Sequence, residues 1–168
     1  MVSDGIIPKN MFGLVPESFY AAIGRVVMTA ALLELRLLDL LTELDQATQD
    51  HHAGQPAGDL VRRCHAGRDR YDAQFAEQLT DALTRVTDVL DRRNAVVHSV
   101  WPSPRPDAAY GWRPVRKGQR PVAPQQPYVG VQIDLDWLHA LVATQVALVG
   151  ELDRLRQHAP AARRTNLA

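Results

Sequence analysis

The sequence has 168 residues, of which 46% are hydrophobic, and its 19 lysines and arginines balance 19 aspartates and glutamates. A chain of this length suits one domain around a single core, so we expect one domain over residues 1–168. The zero formal charge excludes a histone-like polycation, and any nucleic-acid contact must therefore come from a local basic patch. Because Cys64 is the one cysteine, an intramolecular disulfide and a cysteine-rich zinc site are both excluded.

The composition predicts a cytoplasmic protein with no membrane segment. A lone cysteine suits a reducing compartment, and the first residues lack the basic and apolar regions of a signal peptide. The most apolar stretch, residues 30–41, is interrupted by Glu34, Arg36 and Asp39. It is also shorter than the roughly 20 residues that a membrane-spanning helix needs.

The first half of the chain predicts an irregular arm followed by helices. Residues 1–15 show little periodicity, and Pro16 is a suitable residue for the start of a helix. We expect a long helix over 16–44, a polar linker, a short helix over 57–66 and a second long helix over 68–98. The last of these carries one apolar stripe with spacings of three and four residues: Phe75, Leu79, Leu83, Val86 and Leu90.

The second half begins with an insert in which seven of the eleven prolines fall within residues 102–127. Proline breaks helices, so we expect a long loop or a small β-hairpin in which 110–115 and 128–133 pair as short strands. A last long helix should begin near Asp134 or Asp136, reach Gln157, and give way at Pro160 to a polar tail over 158–168. The predicted fold class is all-α: an antiparallel helical bundle of three long helices plus a short one, with the Pro-rich insert before the last helix.

Two charged residues lie where apolar stripes should continue. At about 100° per residue, Glu34 falls on the side of the first helix that carries Leu33 and Leu37, and Arg93 extends the stripe of the third helix. A carboxylate in a core needs a cationic or donor partner, so we expect Glu34 to pair with Arg93. Two alternatives remain open: the bundle is open at Glu34, or Arg93 extends its head to the surface.

Residues 91–101, DRRNAVVHSVW, close the third helix with Arg93, Asn94 and His98 in the spacing R-N-x-x-x-H. This pattern resembles the R-x(4–6)-H signature of the HEPN superfamily of small helical ribonucleases. The order of elements over about residues 17–157 is also similar to that family, although the Pro-rich insert departs from it.

The resemblance implies metal-independent cleavage of RNA without a cofactor, in which the ribose 2′-hydroxyl attacks the adjacent phosphate. In that chemistry His98 transfers a proton, Arg93 stabilises the phosphate oxygens, and Asn94 orients His98 or contacts the phosphate. The resemblance further implies a homodimer that joins two motifs in one groove, in a toxin, phage-defence or RNA-processing role. The apolar residues Met28 and Leu32, with Leu35, lie on the polar side of the first helix and fit a dimer interface.

The insert also supplies candidate RNA contacts, because its basic residues are interleaved with aromatic ones. These candidates are Trp101, Arg105, Tyr110, Trp112, Arg113, Arg116 and Lys117. The alternatives are a solvated loop whose aromatics pack on the bundle, or a docking segment for an antitoxin or other protein partner.

Other templates of enzyme sites are not matched. The remaining histidines have no metal-ligand spacing, and there is neither a Gly-rich phosphate loop nor a G-x-S-x-G elbow. The alternative to a ribonuclease is a non-catalytic helical binding or regulatory module. In that module Arg93 and Glu34 form a structural ion pair.

Overall fold

A computed structural model describes residues 16–104, 108–114 and 128–164. Within these ranges the chain forms four α-helices, with a small sheet before the last, which confirms the all-α bundle. The helices are α1 (Glu17–Asp45), α2 (Ala57–Gly67), α3 (Ala73–Val97) and α4 (Leu135–Ala162), and the strands are β1 (Val100–Pro104), β2 (Ala108–Pro114) and β3 (Tyr128–Asp134). The predicted irregular arm over 1–15 lies outside the described residues.

The three long helices run up, down and up. At one end of the bundle, the Tyr71 hydroxyl just before α3 donates to the Leu44 carbonyl near the end of α1, at 3.1 Å. Near the end of α3, Arg93 pairs with Glu34 in the middle of α1, so α3 is antiparallel to α1. The guanidinium of Arg163 after α4 donates to the carbonyl of Leu44 at 3.2 Å, so α4 runs parallel to α1.

One apolar core joins all four helices. The stripe of α3 is buried as predicted, and it packs against leucines of α1 and α4 and against Leu60 and Val61 of α2. The buried face of α1 centres on Leu33 and Leu37, which are fully buried. Glu34 lies at the edge of that face, one residue further round the helix, and this position explains how a charged residue fits beside the core.

The boundaries of α3 and α4 differ from those expected. Residues Arg68–Arg70 form a separate 3-10 turn, and α3 begins later because the Asp72 carboxylate accepts from the Phe75 N–H at 2.8 Å and caps the helix. At the other boundary, α4 continues through Pro160 to Ala162. Its last turn is held by the Asp72 N–H, which donates to the Ala162 carbonyl at 2.9 Å.

The predicted hairpin is present and gains a third strand. Strand β2 pairs antiparallel with β3, with Tyr110 opposite Gln132, and β1 adds to the other edge of β2. Gly111 lies under the Trp101 ring, so closely that a Cβ there would be 2.5 Å from the ring. No helix within the described ranges combines the length and apolarity needed to cross a membrane.

Candidate functional site

A cleft of about 550 Å³ lies between the start of α2 and the second half of α3. Apolar side chains from both helices form part of its wall, including Val61 and Leu90. Polar and charged side chains complete the lining and come from α1, α2 and α3: Glu34, Arg62, Thr87, Asp91, Arg93 and Asn94. The cleft therefore offers both an apolar surface and several hydrogen-bonding groups, as binding sites for small molecules do.

Arg93 lies on this cleft and forms the expected ion pair with Glu34. Its Nη2 group donates to Glu34 Oε1. The Arg93 side chain is 24% exposed and that of Glu34 is 35% exposed. The pair therefore lies at the rim of the core, and water reaches both groups. Both alternatives to a fully buried pair are partly realised, because Glu34 meets solvent and the Arg93 head extends toward the surface.

Asn94 contacts the same guanidinium. Arg93 Nη1 donates to Asn94 Oδ1 at 3.2 Å, so two side chains hold Arg93 from two sides. Two roles are expected for Asn94: it orients His98, or it contacts the phosphate. Its contact with Arg93 favours the second role. The amide nitrogen of Asn94 has no hydrogen-bond partner within the described ranges and is a donor on the cleft.

His98 is the C-cap of α3, and its backbone N–H donates to the Asn94 carbonyl at 3.1 Å. Its imidazole is exposed and does not line the cleft. A step of five residues turns an α-helix by about 140°, so Arg93 and His98 leave α3 in different directions. The structure brings Glu34, Arg93 and Asn94 together, and it places His98 one turn further along the surface.

A set of exposed apolar residues lies on α1, between Tyr20 and Leu35. We name these residues the outer face of α1: Tyr20, Val27, Met28, Leu32 and Leu35. Met28 is 74% exposed, the largest value of the five. Because α3 is antiparallel to α1, residues that follow Arg93 continue toward the half of α1 that carries this face. Val97, also exposed, adds an apolar side chain next to His98.

The candidate RNA contacts in the insert divide into two groups. Trp101 is half-buried, packs against the core and donates from Nε1 to the Val96 carbonyl at 3.2 Å, which favours a structural role. Tyr110 and Arg113 lie on β2 and are also half-buried. The predictions for three further residues and for one side chain fall outside the described part of the chain: Arg105, Arg116, Lys117 and the Trp112 side chain.

Asp91 was not singled out by the sequence, and the structure places it on the cleft. It forms no ion pair or hydrogen bond with any side chain in the described ranges, whereas Asp88, one turn earlier, pairs with Arg92 at 2.9 Å. A sequence signal did exist, because Asp88 has an arginine four residues later and Asp91 has Ala95 there.

The one thiol of the chain does not line the cleft. Cys64 is fully buried, and burial raises the pKa of its thiol to about 12. A thiol with that pKa is almost entirely protonated at neutral pH, so it is a poor nucleophile. Among the described residues, no group of three His, Cys, Asp or Glu side chains is arranged to hold a metal ion.

The fold and the cleft define a class in structural terms: an all-α bundle with an Arg–Asn pair at a cleft between two helices. Comparisons with protein-family models, curated proteins and solved structures find no match to this chain. The functional interpretation therefore depends on the site residues themselves.

Proposed function

We propose that the protein is a HEPN-type endoribonuclease that cleaves RNA without a metal ion. The observation that carries this proposal is the placement of Arg93, which Glu34 and Asn94 hold at an open cleft. The sequence motif adds His98 at the end of the same helix. In the proposed reaction the 2′-hydroxyl attacks the adjacent phosphorus, the 5′-oxygen leaves, and a 2′,3′-cyclic phosphate remains.

Arg93 supplies the charge that this reaction needs. A guanidinium has five N–H donors, and Glu34 and Asn94 each use one of them. The remaining donors can bind the non-bridging oxygens of a phosphate, where charge develops during displacement. Because two partners already fix the guanidinium, little side-chain entropy is lost when the phosphate binds.

His98 supplies the proton transfer. An imidazole can act as a general acid or base, typically for a gain of about 10² to 10⁴ in rate. In one protomer, Arg93 and His98 leave α3 in different directions. We therefore propose a homodimer through the outer face of α1, in which two copies of the motif form one composite groove.

RNA is the proposed substrate, and toxin, phage-defence or RNA-processing roles are the proposed settings. In a toxin setting an antitoxin or other regulatory protein would cover the groove. The basic insert is then a further surface for RNA, with Arg113 as its basic side chain within the described ranges.

A specific observation favours a second candidate, a non-catalytic binding or regulatory module. The Glu34–Arg93 pair fastens α1 to α3 whether or not RNA is present. If this is its whole role, the wild-type protein leaves RNA intact, and loss of Arg93 acts on stability alone.

Incubation of the protein with a mixed RNA pool and a chelator separates the two candidates. We expect fragments with cyclic-phosphate ends from the wild type, and no cleavage by Arg93→Ala or His98→Ala while the helical circular-dichroism spectrum persists. Matched controls are Arg92→Ala, which removes the neighbouring arginine paired with Asp88, and His139→Ala, which removes an exposed histidine on α4. Both controls should cleave as the wild type does.

Intact RNA after incubation with the wild type would favour the binding module. Cleavage by His98→Ala at the wild-type rate would remove that residue from the mechanism.

A further inference from the structure

The cleft beside Arg93 carries a second charged group, the exposed carboxylate of Asp91. The Asp91 carboxylate forms no ion pair or hydrogen bond with a side chain in the described ranges, and the two arginines of the cleft lining pair with other carboxylates. Arg93 pairs with Glu34, and Arg62 pairs with Asp59. An ionised carboxylate only accepts hydrogen bonds, so its natural ligand carries N–H or O–H donors.

The lining suits a partly apolar ligand that also forms hydrogen bonds. Val61 and Leu90 contribute apolar surface, and Thr87, Asp91 and Asn94 lie on one face of α3 at positions i, i+4 and i+7. A volume of about 550 Å³ falls within the range of small-molecule pockets, roughly 300 to 1,000 Å³. A nucleobase has apolar faces and hydrogen-bonding edges, and single-stranded RNA is read through exposed base edges.

We infer that this cleft binds one nucleobase of the RNA substrate and that Asp91 selects guanine. The inference rests on the proposed ribonuclease function for its substrate class. Guanine has two adjacent N–H donors, N1–H and the N2 amino group, on its pairing edge, and a carboxylate accepts both at once. Adenine, cytosine and uracil each place an acceptor beside their donor, so they give the carboxylate one hydrogen bond at most.

The position of Asp91 relative to Arg93 fits this assignment. Asp91 and Asn94 are neighbours on α3, about 5 to 6 Å apart at Cβ, and Asn94 contacts Arg93. A guanine held at Asp91 thus lies on the cleft that also carries the guanidinium proposed to bind phosphate. The amide nitrogen of Asn94 can donate to O6 or N7 of the same base.

Binding of the four nucleoside 3′-monophosphates to the full-length protein, measured by isothermal titration calorimetry, tests the inference. We expect the wild type to bind the guanosine nucleotide about tenfold more tightly than the other three, as one bidentate pair allows. Asp91→Asn should abolish this preference and change the affinity for the other three less than twofold. Asp88→Asn, one turn earlier and ion-paired with Arg92, should retain the preference.

A second variant tests the location. Thr87→Trp would place an indole in the cleft and should weaken binding of all four nucleotides at least tenfold. Equal binding of the four nucleotides by the wild type, no binding at millimolar concentration, or an unchanged preference in Asp91→Asn would each overturn the inference.

The sites of RNA cleavage distinguish failure of this inference from failure of the proposed function. Cleavage with cyclic-phosphate ends but without preference for guanosine would retain the ribonuclease and reject the guanine pocket. Guanosine selectivity that depends on Asp91, in a protein that leaves RNA intact, would retain the pocket and reject the ribonuclease.

Discussion

Arg93 combines a structural and a proposed chemical role, and its partial exposure decides how the two can be separated. A fully buried ion pair costs about 3 to 5 kcal/mol when one partner is removed, because a charge is left without compensation. Here water reaches both Arg93 and Glu34, so the penalty is closer to that of an exposed pair, about 1 kcal/mol or less. The variants at this site should therefore fold.

A double-mutant cycle with Glu34→Gln and Arg93→Ala measures this interaction. We expect each single variant to lower the free energy of unfolding by about 1 kcal/mol, with a coupling energy of about 0.5 to 1 kcal/mol, in urea denaturation. A loss of 3 kcal/mol or more in Arg93→Ala would show that the pair is a main support of the bundle. That result would weaken any conclusion drawn from its loss of activity.

At the scale of residues, the sequence predicted the contact between Glu34 and Arg93 but not the exposure of the residues around it. Two helical wheels place Glu34 and Arg93 toward each other, because both helices are long and regular. The helical wheel that places Leu33 and Leu37 on the core side of α1 also places Val27 there, whereas Val27 is 44% exposed. The width of a buried face depends on how many helices pack against it, and that number is a property of the assembled bundle.

At the scale of elements, the connection between α1 and α2 is held by a buried histidine. The His52 side chain is fully buried, and its Nε2 lies 3.4 Å from Asp45 Oδ2. Asp45 also accepts from Arg70 at 2.6 Å, so one carboxylate joins this connection to the 3-10 turn before α3. Burial lowers the pKa of His52, as does the charge of Arg63, and Asp45 opposes this shift.

This burial predicts an acid-sensitive bundle. A neutral histidine contributes its full stability above its unfolded pKa of about 6.5, and the contribution is lost as the pH falls below that value. We expect the free energy of unfolding of the wild type to fall between pH 6.5 and 5, by up to about 1.4 kcal/mol per pH unit for one proton. His52→Leu should flatten this part of the profile.

Urea denaturation at half-unit steps of pH provides the measurement, with His139→Ala as the control for an exposed histidine. The control should follow the wild-type profile. Parallel profiles for the wild type and His52→Leu would contradict the assignment of the acid sensitivity to this ring.

The elements also show where sequence patterns are sufficient. The spacing from Phe75 to Leu90 predicts the body of α3 because a repeated apolar stripe needs a helix to bury it. The spacing does not predict the start of α3. In the sequence, residues Arg68–Arg70 and Asp72 are as compatible with a helix as the residues that follow them. That start is decided by the Asp72 carboxylate, which satisfies the Phe75 N–H and leaves the preceding turn outside the helix.

At the scale of the whole molecule, the cleft is a product of packing that local patterns do not describe. Residues from α1, α2 and α3 meet there, and Asp91 acquires its position only when α2 docks beside α3. The sequence gives the chemistry of Arg93, Asn94 and His98 through one motif. It does not show that Arg93 and Asn94 share a cleft that His98 does not line.

The exposure of His98 and the outer face of α1 lead to the prediction that concerns the assembly. If two protomers pair through this face, Leu35→Lys places a charge in an apolar interface and should convert the dimer to a monomer. We expect sedimentation velocity to report a dimer for the wild type and a monomer for Leu35→Lys, with RNA cleavage reduced at least tenfold. Thr84→Lys, which adds the same charge on an exposed site of α3, should remain dimeric and active.

Measuring the dimer fraction and the RNA cleavage rate together tests the composite groove. A composite groove requires that cleavage and dimer fraction fall together as the protein is diluted, because each site then takes Arg93 and His98 from facing motifs. Full activity in a monomeric Leu35→Lys protein would contradict the composite groove. It would then require Arg93 and His98 of one chain to reach the same phosphate, through a rearrangement at the end of α3.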